Sequence, residues 1–218
     1  MSLGDLRRDY KGAPLEEADA DADPFGQFAR WFEQVRPLEV DPTAMVLATA
    51  TTDGRPSARM VLLKGVDAAG FVFYTNYQSR KAGELAANGR ASLLFYWPSL
   101  ERQVRIEGAV ARVSAAESDA YFVTRPIESR WGVYGPKQSQ AVQSRAVIEA
   151  QVEAARLAYG EDVPRPEWWG GFRVAPDWFE FWQGRPNRLH DRLCYRRDQR
   201  QRNQGQEGTT WTRRRLAP

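Results

Sequence analysis

The sequence predicts a mainly β domain with flanking helices, an α+β chain rather than a doubly wound one. About six stretches are rich in β-branched and aromatic residues and short enough to be strands. Turn signals such as Asp53-Gly54 and Asp67-Ala68-Ala69-Gly70 separate them. The helical segments fall between these stretches without the strict strand–helix alternation that a parallel sheet requires.

Taken in order, residues 1–23 are polar, carry an acidic run from Glu16 to Asp23, and read as a mobile arm before a single domain over 24–218. Pro24 suits a first helical turn, and Phe25, Phe28, Trp31, Phe32 and Val35 follow at helical spacing as a core-facing stripe. A strand over 43–51 closes at Asp53-Gly54. The next stretch, 59–64, is the apolar run Met60, Val61, Leu62 and Leu63 with Arg59 and Lys64 at its ends. Being five apart, these two cations point to opposite faces of a strand, so each can serve a different anion. Phe71 to Thr75, including Tyr74, forms the returning strand. Ser79 is placed to cap a helix over 79–88, which puts Arg80 and Lys81 in the first turn, where free N–H groups and two cations favour a phosphate.

Strands over 91–97 and 101–113 come next, the second containing Gln103 and a bulge signal at Gly108. Ser114 and Glu117 have the spacing of a capping box. The helix they open carries Tyr121 and Arg125, four apart on one face. Pro126 ends it and Ser129 follows. Two hydroxyls and a guanidinium converging there suit a phosphate monoester. A long helix is expected over 139–159 with Gln138 and Ser139 at its N-terminus, again a place that favours an anion. After a Pro-containing linker come a strand entered from Trp168 and a second apolar stretch over 178–182, ending at Trp182. The run 187–192, NRLHDR, is the densest polar cluster and holds the single histidine, His190, between Arg188 and Arg192. In a strand, Arg188 and His190 share one face while Leu189 turns to the core. A polar loop over 198–210 precedes a last strand over 211–218.

Composition sets bounds. A chain of 218 residues with 42% hydrophobic content can bury a sizeable core. No apolar run reaches the roughly 18 residues of a membrane helix, and the start MSLGDLRRDY has no signal-peptide core, so a cytoplasmic location is expected. One cysteine, Cys194, excludes an intrachain disulfide and a cysteine metal cluster. The net charge of +3 is uneven, with eight arginines from Arg192 onward against Asp198 and Glu207. Without an RNA-binding aromatic motif, zinc finger or helix-turn-helix pattern, that tail reads as a solvated loop and not as a nucleic-acid surface. There is no GxGxxG, no phosphate loop, no metal-ligand spacing and no GxSxG elbow.

Spread in order along nearly the whole chain stand RRDY, DPTAMVLAT, RMVLLK, FYTN..SRK, SLLFYW..LERQV, YF..RP..S, KQS, WGGFRV, FWQG...RLHDR and a terminal RLAP. This series closely resembles the pyridoxamine/pyridoxine 5′-phosphate oxidase family. The resemblance implies an FMN-binding split β-barrel, antiparallel and homodimeric, with FMN in two clefts at the interface. It implies oxidation of pyridoxamine or pyridoxine 5′-phosphate to pyridoxal 5′-phosphate, with O2 reduced to hydrogen peroxide. It assigns Arg59, Arg80, Lys81, Gln138 and Ser139 to the FMN phosphate and ribityl chain. The rest of FMN falls to the run Met60, Val61, Leu62, Leu63 and Lys64 and to Tyr74, Thr75, Gln103, Trp182 and Arg192. Lys64, Tyr121, Arg125 and Ser129 fall to the substrate phosphate, Arg188 and His190 to the pyridine ring and reacting carbon, and Arg7, Arg8 and Tyr10 to an arm over the substrate. The alternatives are a related FMN oxidoreductase acting on a phenazine precursor and a non-catalytic flavin or pyridoxal-phosphate binding protein.

Overall fold

Burial alternates residue by residue along the strands, and this period of two decides which face of the sheet is the core. In β1 (Ala44–Ala50), Met45, Leu47 and Thr49 turn inward; in β5 (Arg90–Trp97), Ala91, Leu93, Phe95 and Trp97 do so. The computed structural model describes residues 9–198 and 210–218. Their remaining strands are β2 (Pro56–Leu62), β3 (Gly65–Asp67), β4 (Gly70–Asn76), β6 (Arg102–Arg112), β7 (Trp169–Gln183), β8 (Asp191–Arg197) and β9 (Trp211–Arg215). All pairings are antiparallel, in the order β2-β1-β5-β6-β7-β4-β3, with β8 paired to β7 and β9 to β8. The β2 edge curls back to touch β4, giving the mainly β, half-barrel form that the sequence predicts.

The helices are α1 (Pro24–Val35), α2 (Arg80–Asn88), α3 (Ala115–Val123), α4 (Ile127–Trp131) and α5 (Arg145–Tyr159). Helix α1 starts as expected, with the Asp23 carboxylate accepting from the Phe25 N–H and Pro24 in the first turn. Its stripe fills the barrel: the Phe28 ring stands 4.9 Å from Phe71 and 5.2 Å from Phe95, and Trp31 lies 5.3 Å from Phe181. Ser79 caps α2 by accepting from Ala82 N–H, and Gly89 ends it in the left-handed region. Ser114 caps α3, but Glu117 does not close the box; its carboxylate takes Arg173 instead.

Several elements differ from the sequence expectation. The two stretches around Trp169 and Trp182 are one 15-residue strand, β7, which pairs with β6 from Phe172 onward, with β4 at its start and with β8 at its end. The bulge lies where expected: opposite Gly108 the register slips, and Asp177 is the extra residue of β7. Helix α5 begins at Arg145, not near Ser139. Ser139 has φ 72°, and its hydroxyl accepts from Arg80 N–H, so that segment is tied across to α2 instead of opening a helix. The described arm, residues 9–23, lies against the sheet because Leu15 enters the core at 5% exposure and Asp21 carbonyl accepts from Tyr195 OH. The expected loop over 198–210 falls largely outside the described residues. No helix among the described residues is long and apolar enough to cross a membrane, and none of them form a group of three or more His, Cys, Asp or Glu able to hold a metal.

Gly108 is where the bulge admits no side chain. A Cβ there would stand 2.1 Å from Ala175 carbonyl oxygen and 2.9 Å from Pro176 Cα, both backbone atoms. Gly108→Ala is expected to cost about 1–3 kcal/mol, read as a lower melting temperature at roughly 2–4 °C per kcal/mol. A variant that melts with the wild type would show that the bulge tolerates a methyl group.

Candidate active site

Two adjoining cavities, of about 590 and 450 Å³, lie where β4, α3, α4 and the 132–140 segment meet. They share Tyr74, Thr75, Arg125, Ser129, Gln138 and Trp169 as walls. Tyr74, Tyr121 and Trp169 form a near-parallel aromatic cluster, with Tyr74 3.9 Å from Tyr121 at 17° and 5.5 Å from Trp169 at 14°, and Tyr121 6.2 Å from Trp169 at 8°. Burial, then the nearby Glu117 charge, push the Tyr74 hydroxyl up to about 12, so it is a neutral donor at physiological pH.

One end of this cleft gathers the groups expected around the FMN phosphate. Lys81 Nζ donates to Thr75 Oγ1 at 3.1 Å, Gln138 Oε1 at 3.1 Å and Ser79 Oγ at 3.5 Å. Burial and then the Arg59 charge lower its pKa. A half-buried ammonium whose hydrogen-bond partners are all uncharged, pressed by a second cation, has the donor set that a phosphate monoester balances. Arg80 and Ser139 join it through their mutual contact at 3.3 Å. The residues therefore fit the phosphate end of FMN, although Gln138 and Ser139 do so from a turn and not from the helix N-terminus expected.

Arg59 is turned inward. Its guanidinium donates to Leu47 carbonyl at 3.1 Å and Thr49 Oγ1 at 2.5 Å, and pairs with Glu84 at 3.3 Å. Sequence reasoning missed Glu84. Buried at 6% exposure, it also accepts from Ser57 at 2.6 Å and from Arg80 at 2.8 Å. The Ser57 and Thr49 hydroxyls and then Arg80 bring its carboxyl down to about 2. The Arg80–Glu84 spacing of four on α2 was the available signal; nothing local pointed to Arg59.

Lys64, Tyr121, Arg125 and Ser129 line the same cleft, with Met60, Val61 and Leu62 along its edge. Arg125 lies beyond the end of α3 and not on its face, yet its guanidinium sits 4.6 Å over the Trp169 ring. Its Nη1 is buried with no hydrogen-bond partner, and burial lowers its pKa. Such an orphaned donor costs free energy unless an anion meets it. Leu63, by contrast, is a core residue at 6% exposure, with its N–H bonded to Thr43 carbonyl, so its side chain is not a wall of the cleft.

The other expected residues stand elsewhere. Gln103, Trp182 and Arg192 are neighbours across β6, β7 and β8 in direct register. Glu180, 3% exposed, pairs there with Arg192 at 2.7 Å and Arg105 at 3.1 Å. His190 packs against Trp182 at 4.7 Å and Tyr10 at 5.2 Å. The strand expected for Arg188 and His190 is absent at that point. Asn187 and Arg188 have φ of 56° and 61°, β8 starts only at Asp191, and Leu189 is 67% exposed instead of anchored. Arg7 and Arg8 lie outside the described residues. This second cluster is at the far end of β7 from Trp169, on the order of 40 Å of strand away.

Arg185 N–H donates to His190 Nδ1 at 3.1 Å, which fixes the neutral ring with its proton on Nε2. Burial, followed by the Arg188 charge, lowers the His190 pKa from 6.5, with Asp191 opposing. The folded state thus prefers the neutral ring, so its contribution to stability is present above pH 6.5 and is lost as pH falls from there through the lower folded value. Because the chain has a single histidine, one imidazole resonance reports it. The NMR titration midpoint is expected below 6.5; a midpoint above that would mean an acidic partner dominates.

Residues 32–159 match the family model for pyridoxamine 5′-phosphate oxidase, and residues 169–218 match that for the pyridoxine 5′-phosphate oxidase C-terminal dimerisation region. A pyridoxine/pyridoxamine 5′-phosphate oxidase of Thermosynechococcus vestitus is 56% identical over 217 residues, 99% of each chain. One from Burkholderia multivorans is 58% identical over 198 residues, 90% of this chain and 92% of its own. Among solved structures, PhzG from Burkholderia lata, in complex with tetrahydrophenazine-1-carboxylic acid, superposes with a TM-score of 0.84 at 32% identity, covering 95% of this chain and 99% of that one. The phosphate-suited cleft, the antiparallel half-barrel and these matches together place the chain in the pyridoxamine 5′-phosphate oxidase family, FMN-binding oxidoreductases of split-barrel fold with a C-terminal dimerisation region.

Proposed function

We propose that this chain is a homodimeric oxidase that converts pyridoxamine 5′-phosphate and pyridoxine 5′-phosphate to pyridoxal 5′-phosphate, with O2 as electron acceptor and hydrogen peroxide as its product. The observation that carries the reading is one cleft with two separate phosphate-suited ends. Lys81, Gln138 and Thr75 stand at one, and Lys64, Tyr121, Arg125 and Ser129 along the other wall. The expected place of work is the cytoplasm, in keeping with the free Cys194.

FMN, when bound, supplies the two-electron acceptor for the substrate's C4′ carbon. The protein's part is to bind and orient. Lys81 and the first turn of α2 hold the cofactor phosphate, while Glu84 keeps Arg59 and Arg80 in fixed directions. Arg125 and Lys64 neutralise the substrate phosphate, and Tyr121 and Ser129 donate hydroxyl hydrogen bonds to it. Arg188 and the Nε2–H of His190 are the groups for the pyridine ring and its substituents; Tyr10 and Trp182 exclude water beside them. A single chain keeps these two sets at opposite ends of β7. A partner copy supplying the second set is the arrangement that completes each cleft, and the dimerisation-region match over 169–218 supports it.

The test is steady-state formation of pyridoxal 5′-phosphate and peroxide from both substrates by the purified yellow protein. A second reading, oxidation of a reduced phenazine-type ring, is favoured by the likeness to PhzG. Turnover of such a ring without turnover of either B6 phosphate would select it. Flavin that does not bleach anaerobically with any of these compounds would mean a carrier and not a catalyst. Lys81→Ala should weaken FMN binding about 10- to 150-fold, the loss of roughly 1.5–3 kcal/mol of charge-assisted contact. Unchanged affinity would remove Lys81 from the site. Arg188→Met should keep flavin and dimer but lower kcat/KM by about 10²-fold, if roughly 3 kcal/mol of alignment is lost. Wild-type turnover at full flavin content would show that Arg188 does not face the substrate.

A further inference from the structure

One residue outside the proposed chemistry gathers the arm, the C-terminal strand and the histidine segment into a single network. Arg215, in β9 opposite Leu193, uses its whole guanidinium. Nε and Nη2 form a fork on Glu17 at 2.7 and 2.6 Å. Nη2 also donates to Leu15 carbonyl at 2.9 Å and approaches Glu16 at 3.3 Å, and Nη1 donates to Asp191 Oδ1 at 2.7 Å. The other oxygen of Asp191 accepts from Leu15 N–H at 3.1 Å and meets Arg185 at 3.3 Å. Arg185 in turn donates to Gly12 carbonyl at 2.6 Å and, through its own N–H, to His190 Nδ1. At the near end of the segment so held, Tyr10 stands edge-on to both His190 and Trp182, at 5.2 and 5.5 Å.

We propose that Arg215, acting through Asp191 and Arg185, is a positioning residue that latches the N-terminal arm so that Tyr10 walls the substrate beside His190. The inference rests on the functional reading above for what Tyr10 and His190 face, but not for the latch itself. Isolated surface ion pairs hold little. This one differs in being a bidentate fork within a network whose shared carboxylate, Asp191, is only 16% exposed. Two backbone carbonyls and one backbone N–H of the arm are engaged as well, which fixes its path and not merely its proximity. The Arg215 and Leu15 contacts to Asp191, and the Gly12 contact to Arg185, bracket the segment that holds the Pro186–Arg188 turn and His190, so loosening the latch changes the wall of the site before it changes the core.

The experiment compares holoenzyme of wild type, Arg215→Met, Arg215→Lys and Glu17→Gln. Trypsin cleavage after Lys11 reads the arm, and steady-state kinetics read the site. Arg215→Met is expected to raise the cleavage rate and the KM for pyridoxine 5′-phosphate each by about 10-fold, the size of one lost charge-assisted contact. Flavin content should be unchanged and kcat should move less than KM. Arg215→Lys should recover part of both shifts. Glu17→Gln, which leaves the Arg215–Asp191 pair intact, should move both in the same direction by less, and it carries the test if Arg215→Met does not fold. Cleavage rates equal to wild type in a folded Arg215→Met or Glu17→Gln overturn the latch. Faster cleavage with unchanged KM overturns its role at the site. No pyridoxal 5′-phosphate from the wild-type enzyme would sink the functional reading, and the trypsin comparison would still decide the latch.

Discussion

The length of β7 is the constraint on which the rest depends. Its 15 residues pair with β6 from Phe172 to Gln183, hold β4 at one end and β8 at the other, and so tie the barrel to the C-terminal strands. An antiparallel pair cannot fold its two ends together, because each residue advances the chain by about 3.3 Å. Trp169 at the start of β7 floors the cleft, and Trp182 near its end stands beside His190. The single irregularity, the Asp177 bulge opposite Gly108, changes the twist without bringing those ends together. Separation of the two clusters is therefore a property of the ladder.

The cations of this protein divide by what answers them. Arg59 and Arg80 meet buried Glu84, and Arg105 and Arg192 meet buried Glu180. A buried carboxylate with several donors fixes the directions of the guanidinium groups around it. Lys81 and Arg125 have no such partner. Their contacts are hydroxyls, an amide and an aromatic face; burial lowers the pKa of both, and the Arg59 charge adds to it at Lys81. Leaving a desolvated cation in that state is costly unless an anion completes it, which sets these two cations apart from the four held by buried carboxylates.

The histidine end follows a different logic. There the ring is held by a backbone N–H and two aromatic edges, and the nearby charge on Arg188 reinforces its neutral form. The positive φ values at Asn187 and Arg188 bend the chain out of the sheet just before β8. That bend, and not strand alternation, sets where the two side chains lie. It also leaves Leu189 outside the core, so the segment is secured by Asp191 and Arg185 through polar contacts with the arm.

Whatever depends on neighbours in sequence was legible in the sequence. The α1 stripe, the Ser79 and Ser114 caps, the 71–75 strand, the 59–62 part of the strand expected over 59–64 and the Gly108 bulge follow from side-chain period, capping chemistry and glycine's lack of a Cβ, all local in range; Leu63 and Lys64 fall past the end of β2. Grouping Lys81 with Gln138, or Tyr121 with Arg125 and Ser129, rested on the motif series, since no spacing rule joins residues 57 apart. Local signals misled where a distant contact outweighed them. Helix α5 starts late because Ser139 is held to Arg80, and the acidic arm lies down because Leu15 finds the core and Arg215 finds Glu17. Glu84 as the anchor of Arg59, and the placing of the Trp169 and His190 clusters at the two ends of β7, were decided by tertiary structure alone. The first arises from the packing of α2 on the sheet and the second from strand register; both join residues far apart in the chain, and no single segment encodes either.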